Sequence, residues 1–368
     1  MKGLYLTFDH PSSHNDSNGV WKKIQSQIKA FNNLGLNTNN FNFSISSRYL
    51  YNLLNVCLPF YFTKKTNNNF YNYDFYYIRY PLSSFAFIKL LKNINDHKKI
   101  IIIELATFPY IQEYENTASK IQLIYDFLCK YKLKKYVNII TTFSIHKKIY
   151  GIPAIQIMNG IDCSNISFIN NKIKIDKSLN FIAIAMFAYW HGYDRLINGL
   201  VNYYKKEVSL NIYLHFIGYG NELNYYNELV QQNNLSKYII FHGPQFGDKL
   251  AEIYNIADIA FCSLANHRAN IYLTSELKSR EYLAKGLPVI SSTKIDILPD
   301  DYKYCLYLPE DESPIDINSI IDFYNKLKSE ENIDQITMNI RKFAEERCDI
   351  NVTMKLVVDY ICKFNNKN

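Results

Sequence analysis

SELKSREYLAKGLPVI, residues Ser275–Ile290, reads as a helix that ends and a strand that begins. Lys278 stands three residues before Glu281, so both project from one side of the helix. Gly286 suits the left-handed residue that closes a helix, and Pro288 bars its continuation. Pro-Val-Ile then enters an apolar strand. A helix that delivers directly into a buried strand is half of a β-α repeat, and such repeats build a parallel sheet covered on both faces.

The same alternation continues outward from this stretch. Strands are predicted at Phe181–Met186, Ile212–Ile217, Tyr238–Phe241, Ile259–Cys262, Pro288–Ser291 and Tyr304–Leu308. Helices are predicted over 193–206, 221–233, 247–256 and 276–285. An earlier series has strands at Leu4–Phe8, Phe75–Ile78, Ile100–Ile103, Val137–Ile140 and Ala154–Ile157, with helical segments between most of them. Val20, Ile24, Ile28 and Phe31 mark one side of its first helix, which Asn33 to Gly35 closes. SNISFINNKIKIDKS, residues 164–178, is polar and weakly patterned and separates the two series. The expectation is an α/β chain with two Rossmann-like domains, 1–165 and 166–348. A last helix at 349–368, with Val352, Leu356, Val357 and Ile361 on one side, packs back on the first domain. Ligands of such pairs lie in the interdomain cleft, at the carboxyl ends of the strands.

Length and composition agree with this. The 368 residues suit two domains, and 48% hydrophobic with 20% charged residues suits a globular core. The 32 Tyr and 23 Phe, together with many Asn, Ile and Lys, fit an AT-rich genome, so single residues of these types carry no weight. The opening MKGLYLTFDH reaches Asp9 before an apolar core forms, so no secretory leader is expected. No stretch approaches the roughly 20 apolar residues of a membrane helix. The seven cysteines are scattered without CxxC or metal spacing, which suits reduced thiols in a cytoplasmic protein. Charge is uneven: residues 1–165 hold 19 Lys and Arg against 9 Asp and Glu, whereas 166–368 hold 22 against 25. A basic first half suits an anionic membrane surface, a phosphorylated ligand or nucleic acid, and equally a solvated lysine-rich surface.

Three loops carry candidate chemistry. DHPSSHNDSNGV, Asp9 to Val20, leads into the first helix; Asn18-Gly19 lets amides at the helix start meet an anionic group. The sequence is not GxGxxG, and a plain turn reads equally well. His10 and His14 in it read first as surface histidines. IAMFAYWHGYDRLINGL, residues 184–200, ends a strand and starts a helix near Tyr193. Its His191 and Arg195 supply charge for a diphosphate at the helix start. Asp194 and Arg195 read equally as ordinary first-turn residues. In Ser275–Ile290, Lys278 suits a phosphate and Glu281 the vicinal hydroxyls of a ribose, although an isolated Lys/Glu pair on a helix is usually solvated.

The ordered set of motifs resembles the bacterial glycosyltransferases of the GT-B fold, retaining family four, in the capsule and surface-polysaccharide branch. The likeness rests on SELKSREYLAKGLPVI, NGID at Asn159–Asp162, WHGYDRLINGL from Trp190, LHFIGYGNE at Leu214–Glu222, IIFHGP at Ile239–Pro244 and YNIADIAFCSL from Tyr254. It implies a sugar moved from a nucleotide-diphosphate donor to a glycan or lipid-linked glycan acceptor. It further implies that Glu281 holds the donor ribose, that Lys278 sits at the diphosphate, that Gly19 permits close approach of the donor phosphates, and that Gly218 is among the donor-binding residues. By the same likeness His242, after the strand Ile239–Phe241, flanks the base, and His191 and Arg195 lie at the phosphate region. The chain departs from the family pattern at Met186 and His191, where an Arg and a Lys are usual, and Arg195 or Arg268, in Asn266–Arg268, is the candidate replacement. It departs again at Leu273, where the first of two glutamates is expected; Glu276 is off that spacing.

Catalysis then rests on cations and helix-end amides that meet the charge building on the departing phosphate. No Asp-x-Asp pair is present, so neither metal nor cofactor is expected. On the acceptor side, ELATFPYIQEYE (Glu104 to Glu115) offers Glu113 as the group that positions or deprotonates an acceptor hydroxyl, or a solvated loop. LPFYFTKK (58–65) and CKYKLKKY (129–136) pair aromatic residues with lysines, as surfaces resting on anionic lipid do. These features place the protein in the cytoplasm, peripheral on the inner face of the plasma membrane. The competing readings are an epimerase-like enzyme of the same fold and a catalytically silent nucleotide-sugar-binding subunit of a synthase. A nucleic-acid binder has only the basic half behind it and no binding motif, so nucleic acid is not expected as a partner.

Overall fold

The computed structural model describes residues 1–8, 19–43, 62, 66–106, 108–110, 117–169, 178–208 and 210–365. The chain forms two units, residues 1–160 with 350–368, and residues 161–349.

In the first unit β1 (Lys2–Thr7), β2 (Asn37–Asn42), β3 (Phe75–Arg79), β4 (Ile100–Glu104), β5 (Ile139–Thr142), β6 (Lys148–Ile149) and β7 (Ile152–Gln156) form a sheet ordered β2-β1-β3-β4-β5-β7-β6. Its helices are α1 (Gly19–Asn33), α2 (Phe85–Asp96), α3 (Thr117–Cys129) and the C-terminal helix Ile350–Asn365. All pairings are parallel except that of β6 with β7. Period-two alternation divides each central strand between two cores. Tyr5, Phe75, Tyr77, Ile100 and Ile102 pack under α1 and the C-terminal helix. Leu4, Leu6, Tyr76, Ile78, Ile101 and Ile103 pack on Phe87, Leu90 and Leu91 of α2. Burial on both sides explains why these strands read as unbroken apolar runs. Each fully buried aliphatic side chain contributes about 1.5–3 kcal/mol.

In the second unit β8 (Ser178–Phe187), β9 (Asn211–Gly220), β10 (Ile239–Phe241), β11 (Ile259–Phe261), β13 (Val289–Ser291) and β15 (Cys305–Tyr307) form a wholly parallel sheet ordered β10-β9-β8-β11-β13-β15. The short strands β12 (Leu273–Thr274) and β14 (Lys294–Ile295) pair apart from it. Helices α4 (Tyr193–Tyr204), α5 (Leu223–Gln232) and α8 (Ile317–Glu330) cover one side of the sheet. The other side is covered by α6 (Gly247–Ile256), α7 (Leu277–Lys285) and α9 (Ile333–Arg347). Helix α7 ends at Gly286 with φ 83°, the left-handed stop its sequence requires.

The sequence reading had the parallel α/β architecture right, and it missed several elements. Helices α8 and α9 went unread, although Asp316 and Asn332 cap them by accepting from the amides of Asn318 and Gln335. Strand β2 is polar (NTNNFN) and forms the sheet edge, so its alternation carries little signal.

Candidate active site

All strands of the second sheet run one way, so the loops after β8, β11 and β13 gather at one edge. Main-chain bonds join them: the Leu264 amide donates to the His191 carbonyl (2.8 Å), and the Ser292 amide to the Ser263 carbonyl (3.3 Å). Glu276 is the N-cap residue of α7, but its carboxylate turns away from its own helix. Oε1 accepts from the Ser263 amide (3.3 Å) and Oε2 from the Ser263 hydroxyl (3.0 Å). Lys278 Nζ lies 3.3 Å from Glu276 Oε2 and donates to Ser263 Oγ (3.1 Å) and Tyr193 Oη (3.2 Å). The side chains of Lys278 and Glu276 are only 13% and 17% exposed, so this pair is held in place rather than solvated. The ammonium group thus makes two hydrogen bonds and one ion pair. Each hydrogen bond to such a charged group contributes about 1.5–3 kcal/mol. Tyr193 is fully buried; burial, and then the charge of Glu276, raise its pKa well above the usual value, so it stays a neutral phenol.

His191 stacks on Tyr193, with ring centroids 5.7 Å apart and planes 9° apart. Its Nδ1 accepts from the Ala188 amide (3.0 Å), so the neutral ring carries its proton on Nε2. Burial, and then the Lys278 charge, push its pKa down to about 2. The expectation that His191 adds charge is therefore corrected: at neutral pH it is an uncharged donor through Nε2–H.

Arg195 is corrected as well. It is 2% exposed and points into the unit. It donates to the carbonyls of Ser313 (2.9 Å), Pro309 (3.1 Å) and Leu264, and to Asp311 Oδ1 (2.9 Å). Arg268 makes a forked pair with Asp194 (2.8 and 3.0 Å), donates to the Tyr189 carbonyl (2.9 Å) and meets Glu312. Both guanidinium groups tie the loops near 189–195, 264–269 and 309–313 to one another. They frame the site edge, with their donors taken up by groups of the same unit.

Glu281 lies further along α7, half-buried, beside the buried Tyr254 hydroxyl of α6. Burial, and then Glu281, raise the pKa of Tyr254 well above the usual value. Lys278 and Glu281 thus serve different neighbours: Lys278 meets the strand edge and Glu281 faces α6. Gly218, at φ 128°, has a reason internal to the chain, since a Cβ there would stand 1.9 Å from the Ala185 carbonyl oxygen. Its amide donates to the Gly243 carbonyl (2.9 Å), closing the loop after β10.

His242, in that loop, bonds through Nε2 to His215 Nδ1 (2.9 Å). His215 Nε2 reaches Asn180 Oδ1 (3.3 Å), and the Asn180 amide nitrogens reach Asp258 Oδ2 (2.8 and 3.4 Å). An amide oxygen only accepts, so His215 donates from Nε2 and accepts the His242 proton at Nδ1. Burial, and then His242, push His215 down to about 4.

In the first unit, Gly19 is the exposed first residue of α1, with nothing within 4 Å of where a Cβ would stand. Glu113 lies outside the described residues, as do His10 and His14. Glu104 of the same acceptor-side motif is fully buried. It accepts from Lys23 Nζ (2.8 Å), Gln27 Nε2 (2.8 Å) and the Tyr77 hydroxyl (2.7 Å), with Arg79 at 3.6 Å. Burial would raise its pKa, but Lys23 and then Arg79 outweigh that and hold it at about 2. Lys23 and Gln27 stand among the apolar positions of α1, and polar residues on that face were the sequence signal for this cluster. Glu276, Ser263 and Tyr193 had no comparable signal, because their convergence joins three distant segments.

Residues 178–316 match the family described as "Glycosyl transferases group 1". No curated protein matches the chain. Among solved structures, a glycosyltransferase from Rickettsia africae is similar at TM-score 0.62 and 14% identity, covering 100% of this chain and 99% of its own. HepE from Anabaena, solved with UDP and glucose, is similar at TM-score 0.61 and 11% identity, over 99% of this chain and 100% of its own. Sucrose-phosphate synthase from Thermosynechococcus elongatus is similar at TM-score 0.62 and 12% identity, over 100% of this chain and 98% of its own. At these identities the likeness is one of fold. The second unit thus contains a group 1 glycosyltransferase domain, residues 178–316, in a chain with the GT-B fold.

Proposed function

We propose that the protein moves a hexose-type sugar from a nucleotide-diphosphate donor, held by the second unit, to a hydroxyl of a glycan or lipid-linked glycan presented by the first. The observation that carries this reading is the held Lys278 at the carboxyl edge of the group 1 glycosyltransferase domain, with Glu281 further along the same helix. HepE, of the same fold, was solved with UDP and glucose, which supports a nucleotide-sugar donor.

In this reading Lys278 exchanges its bonds to Tyr193 and Ser263 for a phosphate oxygen of the donor, while Glu276 keeps the ammonium in place. His191 adds an uncharged Nε2–H donor, and Glu281 accepts from the ribose hydroxyls. The anomeric C–O bond breaks with both electrons leaving on the diphosphate, where the ammonium stabilises the growing charge. The acceptor oxygen bonds the anomeric carbon on the same side, with retention, and its proton passes to the departing phosphate. No step calls for a metal. Surface-polysaccharide assembly on the inner face of the plasma membrane supplies such acceptors, and the lysine-rich first unit suits that anionic surface. No helix among the described residues is long and apolar enough to cross a membrane.

The test is a screen of UDP-, GDP- and dTDP-sugars with EDTA present, read as thermal stabilisation and slow donor hydrolysis. One donor that stabilises the wild type and leaves Glu281→Ala unmoved is the expected result. A second reading, a silent donor-binding subunit, is favoured by one observation: Arg195 and Arg268 are committed to the unit's own loops. Donor binding without hydrolysis or transfer would establish it. No binding by any donor would overturn both.

A further inference from the structure

Helix α3 carries its apolar side outward. Ile121, Ile124, Phe127 and Leu128 are 48, 61, 62 and 58% exposed, and Tyr131, in the turn Lys130–Lys135 that follows, is 56% exposed. At 3.6 residues per turn these positions fall within about 120° of arc, so they form one stripe. Phe85, at the start of α2, is exposed as well and stands within reach of Lys132.

The opposite side of α3 explains why the stripe faces out. Asp126 is 1% exposed and accepts from the Ser83 amide (2.7 Å) and from the hydroxyls of Tyr80 and Tyr110. Rolling the helix to bury Phe127 and Leu128 would break these bonds and leave donors without an acceptor, so the inverted amphipathic arrangement is locked in.

Charge decides what covers the stripe. Residues 117–136 hold five lysines, Lys120, Lys130, Lys132, Lys134 and Lys135, and one acid, the buried Asp126. Lys130 Nζ lies 5.0 Å from the Phe127 ring centroid, 5.7 Å from Tyr131 and 5.1 Å from Tyr150, and Lys132 Nζ lies 5.4 Å from Phe85. Lys130 and Lys132 therefore border the apolar surface, with no exposed carboxylate in the segment to repel an anionic partner. A bilayer with anionic headgroups meets both demands: its acyl region takes the aliphatic and aromatic side chains and its headgroups take the ammonium groups.

We propose that α3 and the turn after it are the membrane-docking element, lying flat on an anionic lipid surface. This rests on the membrane reading above and assigns the contact to residues outside the two aromatic-lysine runs apart from 129–135. The test is flotation of the full chain with phosphatidylglycerol–phosphatidylcholine vesicles, with pure phosphatidylcholine as the comparison. The triple variant Ile124→Ser, Phe127→Ser, Leu128→Ser removes exposed side chains only. It is expected to lower the partition coefficient at least tenfold while leaving donor-induced thermal stabilisation unchanged. Each of Lys130→Ala and Lys134→Ala is expected to lower it about fivefold on anionic vesicles. The inference is overturned if the wild type does not float, or if the triple variant floats equally well. It is also overturned if the wild type is a dimer without vesicles that the triple variant dissolves, since the stripe then belongs to a second copy. Donor stabilisation without flotation sinks this inference and leaves the transferase reading standing; flotation without donor binding does the reverse.

Discussion

Arg195→Met should destabilise the second unit by about 4 kcal/mol, and its donor response should survive at temperatures where the unit remains folded. The guanidinium is 2% exposed and serves the carbonyls of Ser313, Leu264 and Pro309, along with Asp311. Methionine fills a similar space, so the cavity term is small. The buried Leu264 carbonyl and the partly buried bonds to Ser313 and Pro309 lose a charged donor, at about 1.5–3 kcal/mol each, partly offset because water reaches the exposed 309–313 loop and because the desolvation of a buried cation is also removed. For a unit of this size about 4 kcal/mol lowers the melting midpoint by roughly 10 °C. Calorimetry with and without saturating donor checks both parts. An unchanged midpoint together with a lost donor response would refute the reasoning, because Arg195 would then be a phosphate ligand and not a brace between loops.

Three further outcomes follow from the geometry. Gly19→Ala should leave the urea unfolding midpoint of the first unit unchanged, since no atom lies within 4 Å of the added methyl; a lowered midpoint would show that something packs there. Glu104→Gln strips the partner from buried Lys23 and should cost about 3–5 kcal/mol in urea unfolding of the first unit. Because the folded pKa of Glu104 is about 2, below the usual carboxylate value, its contribution is present above pH 4.5 and is lost as pH falls toward 2. The folded pKa of His215 is also lowered, to about 4, so the folded state binds fewer protons than the unfolded one. The His215 share of the second unit's stability is therefore full above pH 6.5 and falls as pH drops toward 4, by an amount on the order of 3 kcal/mol, and His191, held at about 2, adds a similar loss over the same range. His215→Gln should roughly halve the slope of that part of the profile and leave the His191 share; a slope unchanged in the variant would show that His215 does not titrate there.

The arrangement of elements was legible because buried strands such as Ile100–Glu104 and Ile259–Phe261 are apolar on both sides, and Gly286-Leu-Pro stops a helix in an unambiguous way. Candidate residues on one element were legible too: Lys278 and Glu281 are three apart on α7. Their partners were not. The sequence placed Lys278 and Glu281 on one side of the helix, with a phosphate and a ribose as their targets, whereas within the chain Lys278 meets Glu276, Ser263 and Tyr193, and Glu281 meets α6.

By itself, then, the sequence determined periodicity, helix ends and the local spacing of charged side chains, because these depend on residues a few positions apart. Tertiary structure alone decided which way each charge faces. Arg195 reads as a first-turn cation ready for a phosphate, but the loop 309–313, more than a hundred residues away, takes up its donors. Nothing near Asp126 in the sequence says which way it faces, but Tyr80, Ser83 and Tyr110 draw it inward and leave Phe127 and Leu128 outside. In both cases the outcome follows from one physical rule. A buried charge or polar group must find its hydrogen-bond partners, and those partners come from parts of the chain that only folding brings near.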